Sequence, residues 1–268
     1  MFDLSNCHFA FLDLETTGLS PWFGDRICEV GIVLTEGRRI KATWQHLVNP
    51  ECSLSLSAAS ANRLTDADLR DAPIFASIAS DLASRLRDRV VVCHNAQFDL
   101  QFLDSEFRRL GSEIQLPNLV DTLFIAREHF DFASYSLLNI AAEFNIQDSQ
   151  EHRNSLADAL TNKAVFFGMM DALKPTGKAL DDFIGIYNSP AWPGDGIQLP
   201  TELGEAIYSG KRIEIAYVDK DGEKSRRWIT PMQVIGLQDY IYLRAYCHLR
   251  EDERTFRLDR IVEIRVEA

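Results

Sequence analysis

This 268-residue chain is short of three things, and each shortage excludes a class of function. No apolar run reaches the roughly 20 residues of a membrane span. The first apolar stretch is broken by Asp13 and Glu15 and has no basic region before it, so neither an anchor nor a secretory leader is expected. Cysteines are few and scattered: Cys7, Cys28, Cys52, Cys93 and Cys247, with no CxxC pair. That argues against a disulfide framework or a zinc site and for a reducing, cytoplasmic setting. Positive charge is also lacking, with 28 Lys+Arg against 40 Asp+Glu and a net charge of −12. A protein that coats nucleic acid by bulk charge is excluded. The deficit is uneven: residues 1–173 carry 14 Lys+Arg and 24 Asp+Glu, whereas residues 200–268 carry 12 and 13.

What the chain does contain is patterned. Its composition, 46% apolar and 25% charged, is that of a globular protein, and its length fits about two domains. An apolar run over 8–12 leads into Asp13-Leu14-Glu15-Thr16-Thr17-Gly18, a strand entering a turn. Alternation on a strand points Asp13 and Glu15 to one face. Two adjacent carboxylates on an apolar strand repel each other, and a hard cation such as Mg²⁺ or Mn²⁺ removes the conflict. A strand end with two solvated acids is the ordinary alternative. The Thr-Thr-Gly that follows lets backbone N–H groups approach a phosphate closely.

Strands predicted over 26–35 and 39–48 complete an antiparallel meander. Polar residues 53–71 allow one or two short helical turns. A helix over 74–86, a fully apolar strand over 90–93 and a helix that Gly111 ends come next. Asp99 falls in the first turn of that helix, where an acid also serves the helix dipole. His94 and Asn95, just before it, either bind substrate or fix the turn. Asp121 directly precedes a helix over 122–129 and reads as its N-cap. Helices over 136–144 and 154–173 follow. Asp158 on the last of these, taken alone, reads as a solvated face residue.

In combination these pieces are far more specific. The order Asp13/Glu15, His94-Asn95-x-x-Phe98-Asp99, His152, Asp158 resembles the DEDDh family of 3′→5′ exonucleases over roughly residues 5–172. Ile27-Cys28-Glu29-Val30-Gly31 and Ser134-Tyr135-Ser136-Leu137 belong to the same resemblance. It implies an α/β, ribonuclease-H-like mixed sheet. It further implies that Asp13, Glu15, Asp99 and Asp158 hold two divalent ions, Mg²⁺ or Mn²⁺, that His152 is the general base, and that Thr16, Thr17 and Leu19 seat the terminal nucleotide. One departure concerns the base. The family places its His five residues before the last Asp, a position held here by Arg153; His152 stands six before, so the 150–154 loop has to absorb one residue. A smaller departure is Asn62-Arg63, where relatives often carry His-Gly.

Residues 174–199 include Pro175, Gly177, Pro190, Pro193, Gly194 and Gly196, and read as a linker between a domain at 1–173 and a second at 200–268. In the second, a short helix over 203–209 precedes strands expected over 212–218, 224–230, 232–237, 240–247, 255–258 and 262–266, a small β-barrel pattern. Arg227-Trp228-Ile229-Thr230-Pro231 and Phe256-Arg257-Leu258-Asp259-Arg260 resemble a WYL domain; of that family's signature only Tyr242-Leu243 remains, with Ile241 in place of Trp. The resemblance implies an SH3/Sm-like barrel that binds nucleic acid or a nucleotide-like regulator, and makes Arg227, Tyr242, Arg250 and Arg257 the ligand contacts. The structural alternative puts Tyr242 and Phe256 in the core and pairs the arginines with the acids at 251–253.

Two functions from different classes follow. One is a metal-dependent exonuclease, with single-stranded DNA favoured over RNA. The other is a regulatory nucleic-acid-binding protein that kept the exonuclease fold and lost efficient catalysis. Retention of all four carboxylates favours the enzyme. No membrane partner and no particular oligomeric state are implied.

Overall fold

The computed structural model describes residues 4–18, 21, 24–116, 118–146, 154–185, 203, 206–207, 209–219, 222–237 and 240–266. The chain forms two compact units, one around each of two five-stranded sheets.

In the first unit, β1 (His8–Thr16), β2 (Ile27–Glu36) and β3 (Arg39–Leu47) form the antiparallel meander, and β4 (Val90–Cys93) and β5 (Leu119–Asp121) add in parallel, in the order β3-β2-β1-β4-β5. This is the mixed sheet expected. Its helices are α1 (Leu56–Asn62), α2 (Asp66–Leu69), α3 (Phe75–Leu86), α4 (Ala96–Arg109), α5 (Thr122–His129), α6 (Leu137–Glu143) and α7 (Ser155–Leu173).

Strand alternation sorts β1 between two cores. Ala10, Leu12 and Leu14 pack with the residues of α3 and α4 on one face, and Phe9 and Phe11 with those of α5, α6 and α7 on the other. The aromatic rings interlock there, with Phe9 5.3 Å from Phe166 of α7. Asp13 and Glu15 share the parity of Phe9 and Phe11, so they leave β1 on the α7 face. No helix among the described residues is long and apolar enough to cross a membrane.

The stretch read as a linker begins in ordered structure. Short 3₁₀ turns occupy Lys174–Thr176 and Leu180–Asp182. Leu180 and Phe183 are buried in the core beneath α7. Gly185 and Leu119 exchange both backbone hydrogen bonds, at 2.8 and 2.9 Å, along β5. Residues 186–199 lie outside the described residues.

In the second unit, β6 (Ile213–Val218), β7 (Lys224–Leu237), β8 (Tyr240–Cys247), β9 (Asp252–Arg257) and β10 (Ile261–Val266) are antiparallel throughout, in the order β10-β6-β7-β8-β9. Leu203, Ala206 and Ile207 pack into its core. The break expected at Pro231 is instead a register shift inside one long strand, between Pro231 and Gln233. A proline donates no ladder hydrogen bond, and a bulge is where a strand tolerates one. The strand β9 likewise starts at Asp252, earlier than the expected 255, because it pairs with β8 from Cys247 onward.

Candidate active site

Three of the four acids meet. Ligand oxygens of Asp13, Glu15 and Asp158 all lie within 4.8 Å of one another. Asp13 and Glu15 reach this point by strand alternation, and Asp158 by the first turn of α7, which lies on the same face.

Two features of β2 set where α7 begins. Glu29, buried, accepts the Ser155 N–H at 2.9 Å through one carboxylate oxygen and the Gln45 side-chain amide at 2.9 Å through the other. An anion at an unsatisfied helix N-terminus is favourable. Gly31 lets the backbones touch: a Cβ there would lie 2.3 Å from the Leu156 nitrogen and 2.3 Å from the Ser155 carbonyl carbon. Asn154 completes the cap, accepting the Ala157 N–H at 2.9 Å. Sequence alone gives Glu29 and Gly31 no role beyond membership of a motif. The one signal is a lone acid within an apolar strand.

Asp99 stands outside the trio. It comes from α4, in the layer across the sheet, and is buried at the sheet's end against the Leu14 backbone. Burial pushes its carboxyl well above the usual carboxylate range, with the nearby Asp121 and Glu15 charges adding to the shift. Asp121 caps α5 as expected, accepting the Leu123 N–H at 2.9 Å. Its carboxylate also receives the N–H groups of Asn95 at 3.0 Å and Ala96 at 3.1 Å. One acid thereby holds the starts of two helices, including the turn that carries Asp99.

His94 is committed to the fold on both sides. Its Nε2 lies 3.1 Å from the Tyr135 carbonyl, to which it donates, and its Nδ1 lies 3.0 Å from Thr122 Oγ1. Thr122 Oγ1 lies 2.7 Å from the buried Asn162 of α7, and Asn162 donates to the Val92 carbonyl at 3.4 Å. This polar chain links β4, α5 and α7. Asn95 adopts a left-handed conformation, φ 66°, at the N-cap of α4.

The Thr-Thr turn is pinned from several sides. Thr17 and Arg26 exchange backbone and side-chain hydrogen bonds, with Arg26 N–H donating to Thr17 Oγ1 at 2.9 Å. Arg26 in turn grips both carboxylate oxygens of the buried Glu106 of α4, at 2.6 and 2.9 Å. Asn62 donates to the Thr16 carbonyl at 2.9 Å. The next residue, Arg63, takes φ 57°, the left-handed region where a glycine would sit without strain. The Asn62-Arg63 departure is therefore structural. Cys28, buried near Glu15, has its thiol pushed up to about 12 by desolvation and stays neutral. Leu19, His152 and Arg153 lie outside the described residues.

A family model described as "Exonuclease" matches residues 10–166. The chain belongs to the exonuclease family. A second model, described as "WYL domain", matches residues 198–266. The DNA polymerase III subunit epsilon of Rickettsia typhi is 31% identical over 184 residues, covering 66% of this chain and 80% of that protein. The DNA polymerase III PolC-type of Caldanaerobacter subterraneus is 29% identical over 170 residues, which are 63% of this chain and 12% of that much longer one. Among solved structures, exonuclease X in complex with 5′ overhanging duplex DNA superposes with a TM-score of 0.52 at 22% identity, covering 65% of this chain and 96% of that one. The nuclease domain of 3′hExo, a DEDDh family member bound to rAMP, gives 0.56 at 15% identity, over 64% and 95%. At these identities the structures establish the fold. Family, fold and relatives make the first unit of this exonuclease a 3′→5′ enzyme of the DEDDh type.

The four WYL residues named from sequence do not form one group. Tyr242 and Arg257 are direct partners across β8 and β9. Arg227 lies over the ring of the core residue Phe256, 5.8 Å from its centroid, and Phe256 precedes Arg257, so Arg227 is on the opposite face of the sheet. Arg250 is exposed in the turn between β8 and β9.

Proposed function

We propose that this protein is a divalent-metal-dependent 3′→5′ exonuclease that acts on nucleic-acid 3′ ends, single-stranded DNA in preference to RNA, with its WYL domain binding nucleic acid or a nucleotide-like regulator. The observation that carries the reading is the convergence of Asp13, Glu15 and Asp158 within 4.8 Å, with the buried Asp99 beside them. Three carboxylates brought together make a donor set of hard oxygens that suits Mg²⁺ or Mn²⁺. A pair of such ions, held by Asp13, Glu15, Asp99 and Asp158, would supply Lewis acidity and lower the pKa of the attacking water.

The rest falls to the chain's own residues. Thr16, Thr17 and Leu19 seat the terminal nucleotide, and Thr16 and Thr17 are already pinned by Asn62 and Arg26. His152 takes the proton of the attacking water as the new P–O bond forms and the bond from phosphorus to the 3′ oxygen breaks. That oxygen leaves with a proton from solvent, and a 5′-mononucleotide is released. His94 and Asn95 hold the turn from which α4 delivers Asp99. Preference for DNA is supported by relatives named as DNA polymerase III components. In the WYL domain, Tyr242 with Arg257 is the pair that suits a stacked base beside a phosphate.

The test is cleavage of end-labelled DNA and RNA oligonucleotides of matched sequence, with Mg²⁺ or Mn²⁺ and with EDTA. Stepwise loss from the 3′ end, abolished by EDTA and by Asp13→Asn, is expected. Unchanged cleavage by the Asp13→Asn protein overturns the assignment. His152→Ala should slow cleavage by about 10²–10⁴-fold.

A further inference from the structure

At the end of the first sheet opposite the carboxylates, where β1 begins, lies a cavity of about 890 Å³. Arg38 and Arg39 from the β2–β3 turn and Lys174 and Lys178 beyond α7 rim it, over a floor that includes Met170 and Leu180. Arg38 is held by Asp171 and stacks over Phe167, 4.7 Å from the ring centroid. Arg39, Lys174 and Lys178 are exposed, and their side chains make no hydrogen bond or ion pair among the described residues. A second cavity of about 330 Å³ is rimmed by His8, Arg87 and Arg89. His8 pairs with Glu36 in the β1–β2 ladder, and Glu36 lines the first cavity, so both cavities lie at the same end of the sheet. The carboxyl of Glu36 is held below its ordinary range by Lys41 first, with His8 and Arg39 adding to the effect.

This end of the first unit thus presents Arg38, Arg39, Arg87, Arg89, Lys174 and Lys178 against Glu36, Asp88 and Asp171, an excess of positive charge in a unit whose residues 1–173 carry a net charge of −10. One niche would hold one anion. A band of cations across one end of the unit, several of them unpaired, matches a polyanion with regularly spaced charge. We propose that this basic band is a second nucleic-acid contact, gripping backbone phosphates of the strand well away from the end being cleaved. The proposal rests on the exonuclease reading above. Asp13 and His8 are five strand residues apart, about 17 Å, and Asp158 and Lys174 sixteen helical residues apart, about 24 Å. With a phosphate every 3.4 Å or so along a stacked strand, on the order of ten nucleotides are needed to reach both places, and a trinucleotide cannot.

The experiment uses the full chain and an R39E/K174E/K178E variant, whose changes all lie outside the catalytic machinery. Binding of a 5′-labelled single-stranded DNA 20-mer is followed by fluorescence anisotropy in EDTA across a NaCl series. Cleavage of a trinucleotide is followed with Mg²⁺. The variant should bind the 20-mer at least tenfold more weakly at low salt. Its slope of log affinity against log salt should be shallower by about two, near 0.7 for each phosphate that is no longer neutralised. Its trinucleotide cleavage should match the parent's. Equal affinity and equal slope in parent and variant overturn the proposal. So does displacement of the 20-mer by polyglutamate at lower charge concentration than by unlabelled DNA, which identifies an acidic peptide as the occupant. If the parent fails to cleave the trinucleotide, the exonuclease reading falls, and the two binding curves still decide the band.

Discussion

Both ring nitrogens of His94 are engaged within the fold, one with the Tyr135 carbonyl and one with Thr122. Of the two roles the motif allowed, substrate binding or fixing the turn, these contacts support the second. Burial lowers its pKa below the ordinary imidazole value, against an opposing pull from Asp121. The unfolded chain then takes up a proton at higher pH than the folded one. Stability is complete above about pH 6.5, falls as pH drops below that, and levels off once the folded imidazole also protonates. Each unit of separation between the two values is worth about 1.4 kcal/mol. Thermal melts at pH 7.5 and 5.5 should therefore show a larger loss for the parent than for His94→Gln, and equal losses would show that the ring does not govern this pH dependence. The acids were legible for a related reason. Asp121 directly precedes its helix, so its capping role is local. Asp13 and Glu15 are two apart on a strand, so their shared face is local too. Glu29 and Arg26 were not legible, because their partners Ser155 and Glu106 are 126 and 80 residues away in sequence.

At the level of elements, the site depends on how closely α7 approaches β2. Gly31 faces the Ser155–Leu156 backbone at a distance no side chain fits. Gly31→Ala should push the start of α7 away, at a cost of about 1–3 kcal/mol from overpacking. Because Asp158 is in that first turn, cleavage should fall further than the stability loss alone predicts. Urea melts read the first effect and single-turnover cleavage the second; an unchanged midpoint would mean that the helix is not seated there. The extent of α7 was plain in the sequence, but its buried face was not: Leu160 is exposed, whereas Asp158, which taken alone read as a solvated face residue, is buried with Ala159, Asn162 and Phe166. Its docking partner was hidden, since β2 is apolar apart from Glu29 over most of its length and announces burial without saying against what. Pro231 is the converse case, a local signal that suggested an end to β7 and marks a bulge within it.

For the whole molecule, the division into two units followed from composition and two separate motif sets, and residues 174–185 carry the detail that composition missed. Proline and glycine suggested a linker, yet Leu180 and Phe183 are buried in the first core and Gly185 extends the pairing of β5. We place the working boundary after residue 185. A chain ending at 173 should be less stable than one ending at 188, by about 1.5–3 kcal/mol for each large side chain removed from the core. The longer chain should retain trinucleotide cleavage. Parallel melts and cleavage assays of the two truncations check this, and equal stability would return 174–185 to the linker.

The strut from Glu29 to Ser155 also bears on when the acidic cluster is assembled. The acids of β1 and β2 leave the ribosome more than a hundred residues before α7, and pairings so distant in sequence form late in folding. Until α7 docks, Asp158 is elsewhere and the cluster is two acids on an unfinished strand. A nascent chain, or a fragment cut before Ser155, thus lacks one of the three clustered acids. The three-acid cluster is completed by the domain's final long helix, and exists only in molecules in which that helix has docked.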